Sequence, residues 1–140
     1  MMSQMEGLRK IKALKREFEP GTVFIKEEED DRAMYILIKG KVQVTQQGHL
    51  LDEISESGEY FGEINVLLNI PHVATCRAMT PTTVLEIPAE KIDTFLKNNP
   101  EVAINLSRKM ARRLIASDKR YLDLYKHLKK DRPQEWLNGT

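Results

Sequence analysis

Between Phe18 and Ile87 the chain is cut into short β-branched and aromatic runs by turn dipeptides at roughly ten-residue spacing. FEPGTVFI holds a Pro20-Gly21 turn between extended runs. MYILIKGKVQV (34–44) is split at Lys39-Gly40, and Gln47-Gly48 turns the chain into HLLDEI. In KVQV, Val42 and Val44 fall on one face, the pattern of a half-buried strand. HVATCRAM (72–79) and TTVLEI (82–87) follow, separated by Thr80-Pro81. This rhythm predicts an all-β barrel or sandwich of about seven short strands.

One stretch breaks the rhythm. SGEYFGEINVLLNIP (57–71) sets Tyr60, Ile64, Leu67 and Leu68 at helical spacing, with Ser57 as N-cap and Pro71 as stop. A short helix inside a barrel presents backbone N–H groups to the interior, which suits an anionic ligand. A second short helix is expected at 4–14, where Met5, Leu8, Ile11 and Leu14 stand three apart. After Ile87 the texture is helical. Pro88 to Lys97 forms one helix; Asn99 caps a longer one, with Pro100 at its first position and Glu101 in its first turn. Along it Met110, Leu114, Ser117, Tyr121, Leu124 and Leu128 form a heptad seam running until Pro133. The domain boundaries that follow are 1–98 for the β domain with its N-terminal helix, 99–132 for the long helix, and 133–140 for a tail.

Charge and composition narrow the function classes. The chain has 22 basic and 21 acidic residues, so it is not built as a whole to coat nucleic acid or an acidic membrane. The basic RKMARR cluster (108–113) reads as the flank of a helix whose other face is covered. One cysteine, Cys76, excludes an intramolecular disulfide and any cysteine-cluster metal site, and reads as a small core residue. His49, His72 and His127 show no metal-ligand spacing, and no nucleophile–base motif is visible. No cofactor and no metal are expected. The Met1–Lys15 segment lacks the apolar core of a signal peptide, and no run reaches the length of about 20 residues that spans a membrane. A cytoplasmic, non-enzymatic protein without membrane or nucleic-acid partners is the expectation.

FEPGTVFIKEEEDD, YILIKGKVQV, FGEINVLLNIPHVAT and NPEVAINLSRKMARRL together resemble the cyclic nucleotide-binding domain. The last of these is most similar to the bacterial catabolite-activator branch. The likeness runs from Phe18 to Leu114. It implies an eight-stranded β-roll, mainly β with helices; since only about ten residues follow Lys130, too few for the helix-turn-helix domain of that branch, a stand-alone module is the expectation. It also implies a site: Gly62 and Glu63 match the ribose-binding positions, with Ile64 beside them, and Ala74 and Thr75 match the Ala-Thr of the phosphate strand. Arg113 and Ser117 match helix positions that approach ribose and purine in that branch.

Two positions depart from the pattern. His72 stands where the family has its phosphate arginine, and Val73 replaces a serine. An arginine fork is permanently charged and grips two oxygens at once, which histidine cannot do. The replacement predicts weaker binding or altered specificity; His72 and Val73 stay in the expected ligand-binding set, with His72 read either as an exposed loop residue or as a pH-dependent phosphate donor. The acidic run Glu27-Glu28-Glu29-Asp30-Asp31 replaces the family's Glu-Gly-Asp, putting Glu28 where a turn wants glycine; it reads as a solvated loop.

The resemblance therefore implies a regulatory module that senses cyclic AMP, cyclic GMP or another small anion. It signals through its C-terminal helix, pairs as a homodimer along the seam and acts on an effector protein. The alternative left open is a degenerate domain that binds no nucleotide and serves as a dimerising or adaptor protein.

Overall fold

The computed structural model describes residues 13–130. The expected helix at 4–14 and the tail at 133–140 lie outside them, except that Leu14 opens a strand instead of closing a helix. The described residues fall into two compact units that divide after Pro100.

The first unit holds eight strands among its described residues: β1 (Leu14–Phe18), β2 (Val23–Ile25), β3 (Ala33–Lys39), β4 (Val42–Gln46), β5 (His49–Ile54), β6 (Tyr60–Phe61), β7 (Thr75–Ala78) and β8 (Thr82–Pro88). They form two four-stranded antiparallel sheets, ordered β1-β8-β3-β6 and β2-β7-β4-β5. Its described residues also form two helices, α1 (Glu63–Leu68) and α2 (Ala89–Asn98). The β-roll expected from the sequence is the fold found.

The core lies between the sheets. One contributes Ala33, Tyr35, Leu37, Phe61 and Val84; the other Ile25, Val42, Val44, Ile54 and Cys76. Val42 and Val44 are both buried while Gln43 and Thr45 are not, as the alternation of a strand requires. β3 differs, being buried from Ala33 through Leu37 without alternation. One of its faces meets the core and the other lies against α2, whose Ile92 and Phe95 are buried. A strand covered on both sides reads as a continuous apolar run.

Turn chemistry sets the register. Gln47 and Gly48 both take positive φ (49 and 79), joining β4 to β5 with Gln46 opposite His49. A two-residue turn of that hand matches the twist of the paired strands. Gly40 closes the β3–β4 connection at φ 109; a Cβ there would sit 2.6 Å from the Pro81 carbonyl oxygen and from Thr82 Oγ1. Only glycine fits against that backbone.

The second unit is dominated by α3 (Pro100–Lys130), a 31-residue helix. Met110, Leu114, Tyr121, Leu124 and Leu128, the apolar members of the seam, are all exposed on it. Ile115, Leu122 and Tyr125 are exposed beside them, and the Tyr121 and Tyr125 rings stack at 6.5 Å. No helix among the described residues is long and apolar enough to cross a membrane.

Candidate functional site

The helix that interrupts the barrel is shorter than its periodicity predicts. Tyr60 and Phe61 pair with Ile36 and Tyr35 as strand β6, and both are buried. The helix therefore starts at Glu63, with Gly62 rather than Ser57 as its N-cap. Sheet pairing wins over local periodicity because two large aromatic side chains gain a core position by extending the chain. Phe61 stacks on Tyr35 at 5.5 Å, and Phe24 meets both rings edge-on. Gly62, at φ 73, lies against the Tyr35 ring: a Cβ would be 3.1 Å from Cδ1. This packing fixes where Glu63 begins the helix, and Glu63 is 2 % exposed.

Tyr35 also ties the sheet together. Its hydroxyl donates to Glu86 Oε1 at 3.0 Å, and Arg16 Nη1 reaches the same oxygen at 3.2 Å. Burial, then the neighbouring carboxylates of Glu86 and Asp31, push the Tyr35 phenol well above its ordinary range.

Beyond α1, Asn69 turns the chain in the left-handed conformation (φ 57), and residues 70–74 lead into β7. The acidic segment 27–32 grips this stretch along its length. Glu28 N–H donates to the His72 carbonyl at 2.7 Å, and His72 N–H to the Glu29 carbonyl at 3.0 Å. Glu27 N–H donates to Thr75 Oγ1, which in turn donates to Glu27 Oε1, both at 3.2 Å. Asn65 Nδ2 donates to the Asp31 carbonyl at 3.0 Å, and the Arg32 guanidinium bonds the Asn69 side-chain oxygen. The run expected to be a solvated loop is thus exposed on one side and bonded to α1 and β7 on the other.

His72 corrects a second expectation. It is buried, 4 % exposed, rather than standing in an exposed loop. Its Nε2 lies 2.7 Å from Asp31 Oδ1. A carboxylate only accepts, so this contact places a proton on Nε2. Asn65 Nδ2, 3.3 Å from the same nitrogen, is also a donor, and it serves the Asp31 carbonyl instead. Asn65 Oδ1 is left buried without a partner among the described residues.

Gly62, Glu63, Ile64 and the run His72–Thr75 are thus brought to α1 and the segment following it. Val73 is exposed, whereas Ala74 packs on the core. In β7, Cys76 and Ala78 face inward and Thr75 alternates with them, sharing its parity with exposed Arg77. Arg113 and Ser117 lie on α3 in the second unit. Asp31, Asn65 and Glu27 were not singled out by sequence reasoning as partners of this segment. Nothing distinguishes Asp31 from its acidic neighbours until the fold puts His72 beside it. Among the described residues no group of three or more histidine, cysteine and acidic side chains is arranged to hold a metal.

Comparison with known proteins points to the same fold. Residues 15–99 match the family described as "Cyclic nucleotide-binding domain". The chain is 36% identical over 81 residues to a cGMP-dependent protein kinase of Eimeria tenella, covering 58% of this chain and 8% of the kinase. It is 27% identical over 125 residues to a CRP-like cAMP-activated global transcriptional regulator of Mycobacterium tuberculosis, covering 81% of this chain and 55% of the regulator. Among solved structures, the Thermus thermophilus catabolite activator protein superposes with a TM-score of 0.76 at 27% identity. That match covers 89% of this chain and 59% of the activator. The chain thus spans little more than half the length of either of these bacterial proteins. From the strand order, the interrupting helix and these matches together, the chain belongs to the cyclic nucleotide-binding domain family, in its catabolite-activator-like branch.

Proposed function

We propose that the chain is a non-enzymatic, cytoplasmic regulatory module that senses a cyclic nucleotide, cyclic AMP or cyclic GMP. The family match across residues 15–99, which contains all of α1 and the run to Thr75, is the observation that carries this reading. The ligand enters beside α1. Glu63 accepts from a ribose hydroxyl, Gly62 and Ile64 line the same turn, and the backbone from His72 to Thr75 meets the cyclic phosphate. Desolvating a phosphate is costly unless hydrogen bonds and charge replace its water, and backbone N–H groups supply part of that replacement. His72 supplies less than an arginine would, so affinity is lower than in relatives that keep the fork.

The signal passes to α3. A ligand shifts a conformational equilibrium only by favouring one of its two states, and Arg113 and Ser117 are the α3 residues that the resemblance makes responsive to it. The exposed seam of α3 pairs with a second copy, because Leu114, Tyr121, Leu124 and Leu128 present an apolar stripe at heptad spacing. An effector protein then reads the helix.

Isothermal calorimetry of the full chain with cyclic AMP and cyclic GMP tests the reading. Saturable binding of either, abolished by Glu63→Ala, is expected; absence of binding for both, in the wild type and in His72→Arg, overturns it. A second reading draws support from the Asp31–His72 contact: a domain that binds no nucleotide and works as a dimerising adaptor.

A further inference from the structure

We propose that the Asp31 carboxylate is a built-in competitor for the ligand's phosphate, holding the His72 Nε2–H that an incoming oxyanion would otherwise take. The inference rests on the sensing reading above.

The geometry is specific. The His72 side chain is 3% exposed, whereas that of Asp31, 2.7 Å from its Nε2, is 51% exposed. The nitrogen is thus shut off from water while the carboxylate that holds it reaches water. Removal of the carboxylate therefore frees the ring N–H that this contact engages.

The chemistry of the exchange balances. A carboxylate and a phosphate diester are both anionic acceptors of N–H bonds, and one N–H serves one strong acceptor at a time. When the phosphate arrives, Asp31 gives up its bond and its carboxylate turns to water, which already solvates half of it. No covalent bond changes and no proton is released. An internal acceptor thus lowers affinity by the strength of the bond it must surrender.

The surrounding bonds allow the carboxylate to leave without dismantling the loop. The Asp31 backbone is held separately, through its carbonyl, by Asn65 Nδ2. Its neighbours remain zipped to His72 through the Glu28 and Glu29 backbone. The buried Asn65 Oδ1 has no partner in the present arrangement, although its amide lies beside His72 Nε2. Buried polar groups are seldom left unpaired, so the Asn65 amide is short of a partner in this arrangement.

Asp31→Asn in the full chain is the test, with cyclic AMP and phosphate-free adenosine as paired calorimetric probes. The expected result is a gain of about tenfold or more in cyclic AMP affinity with adenosine affinity unchanged, the size of a charge-assisted hydrogen bond. No gain for cyclic AMP, or an equal gain for adenosine, overturns the proposal. A second measurement does not depend on the variant's folding: saturating cyclic AMP should shift the His72 imidazole resonances of the wild-type chain, and unmoved resonances overturn the competition. Wild-type binding with no gain in Asp31→Asn defeats this inference alone. Absence of binding in the wild type, Asp31→Asn and His72→Arg defeats the sensing reading with it.

Discussion

The amide of Glu28 donates to the carbonyl of His72 at 2.7 Å, and Glu28 makes that bond from left-handed backbone at φ 70. The sequence marks this position as one that prefers glycine, and the conformation accounts for the preference. A side chain with a Cβ carries a cost in that region that glycine does not. Glu28→Gly is expected to stabilise the protein by about 0.5–1 kcal/mol, the relief of strain less the extra entropy of glycine in the unfolded chain. Urea unfolding checks it; a Glu28→Gly midpoint below that of the wild type contradicts the strain.

Restoring the missing fork is the direct test of the phosphate position. His72→Arg should raise affinity for cyclic AMP by about 30-fold or more, the lower end of what a buried charged partner contributes. Calorimetry reads the change. An affinity no higher than the wild type's would place the phosphate elsewhere.

Gly40 has no room for a methyl group. A Cβ 2.6 Å from the Pro81 carbonyl must move backbone, and φ 109 disfavours any other residue as well. Gly40→Ala is expected to cost about 3 kcal/mol or more. A thermal midpoint within a degree or two of the wild type would show that the β3–β4 connection yields easily.

Tyr35 makes stability fall in alkali. Its phenol is held well above the ordinary value by burial and by Glu86, so the folded state keeps the proton that the unfolded chain releases. Its contribution is complete below the unfolded value of about 10 and declines as the pH climbs past it. Tyr35→Phe, which has nothing to ionise, should lose less stability between pH 9 and about 11 than the wild type does. Parallel slopes for the two proteins would rule out Tyr35 as the source. At neutral pH the same variant should cost about 1 kcal/mol, the net worth of the hydroxyl's bond to Glu86.

The seam of α3 predicts an assembly. Leu124 and Leu128 are 57% and 41% exposed, a poor state for leucines arrayed along one helix face. Light scattering should give the mass of a dimer for the full chain and of a monomer after truncation at Arg120 or in Leu124→Glu/Leu128→Glu. An unchanged mass in either variant would remove the seam as the contact.

Much of the fold is legible along the chain because its causes are local. The Gln47-Gly48 turn, the burial of Val42 and Val44, the break at Gly40 and the change to helix after Pro88 depend on backbone preference and on period, which near neighbours set. The replaced arginine and the strained Glu28 are legible for the same reason: each is a residue type at a defined place in a motif. The extent of α1 is not. Tyr60 and Phe61 obey a helical period, yet they extend because β3 offers them partners and a core that a helix would not. His72 likewise looks like a polar loop residue, and it is buried because Asp31, distant in sequence, and Asn65 on α1 meet its ring. Hydrogen-bond partners of that kind are assigned by the packing of one strand-end against another, so only the tertiary structure decides them.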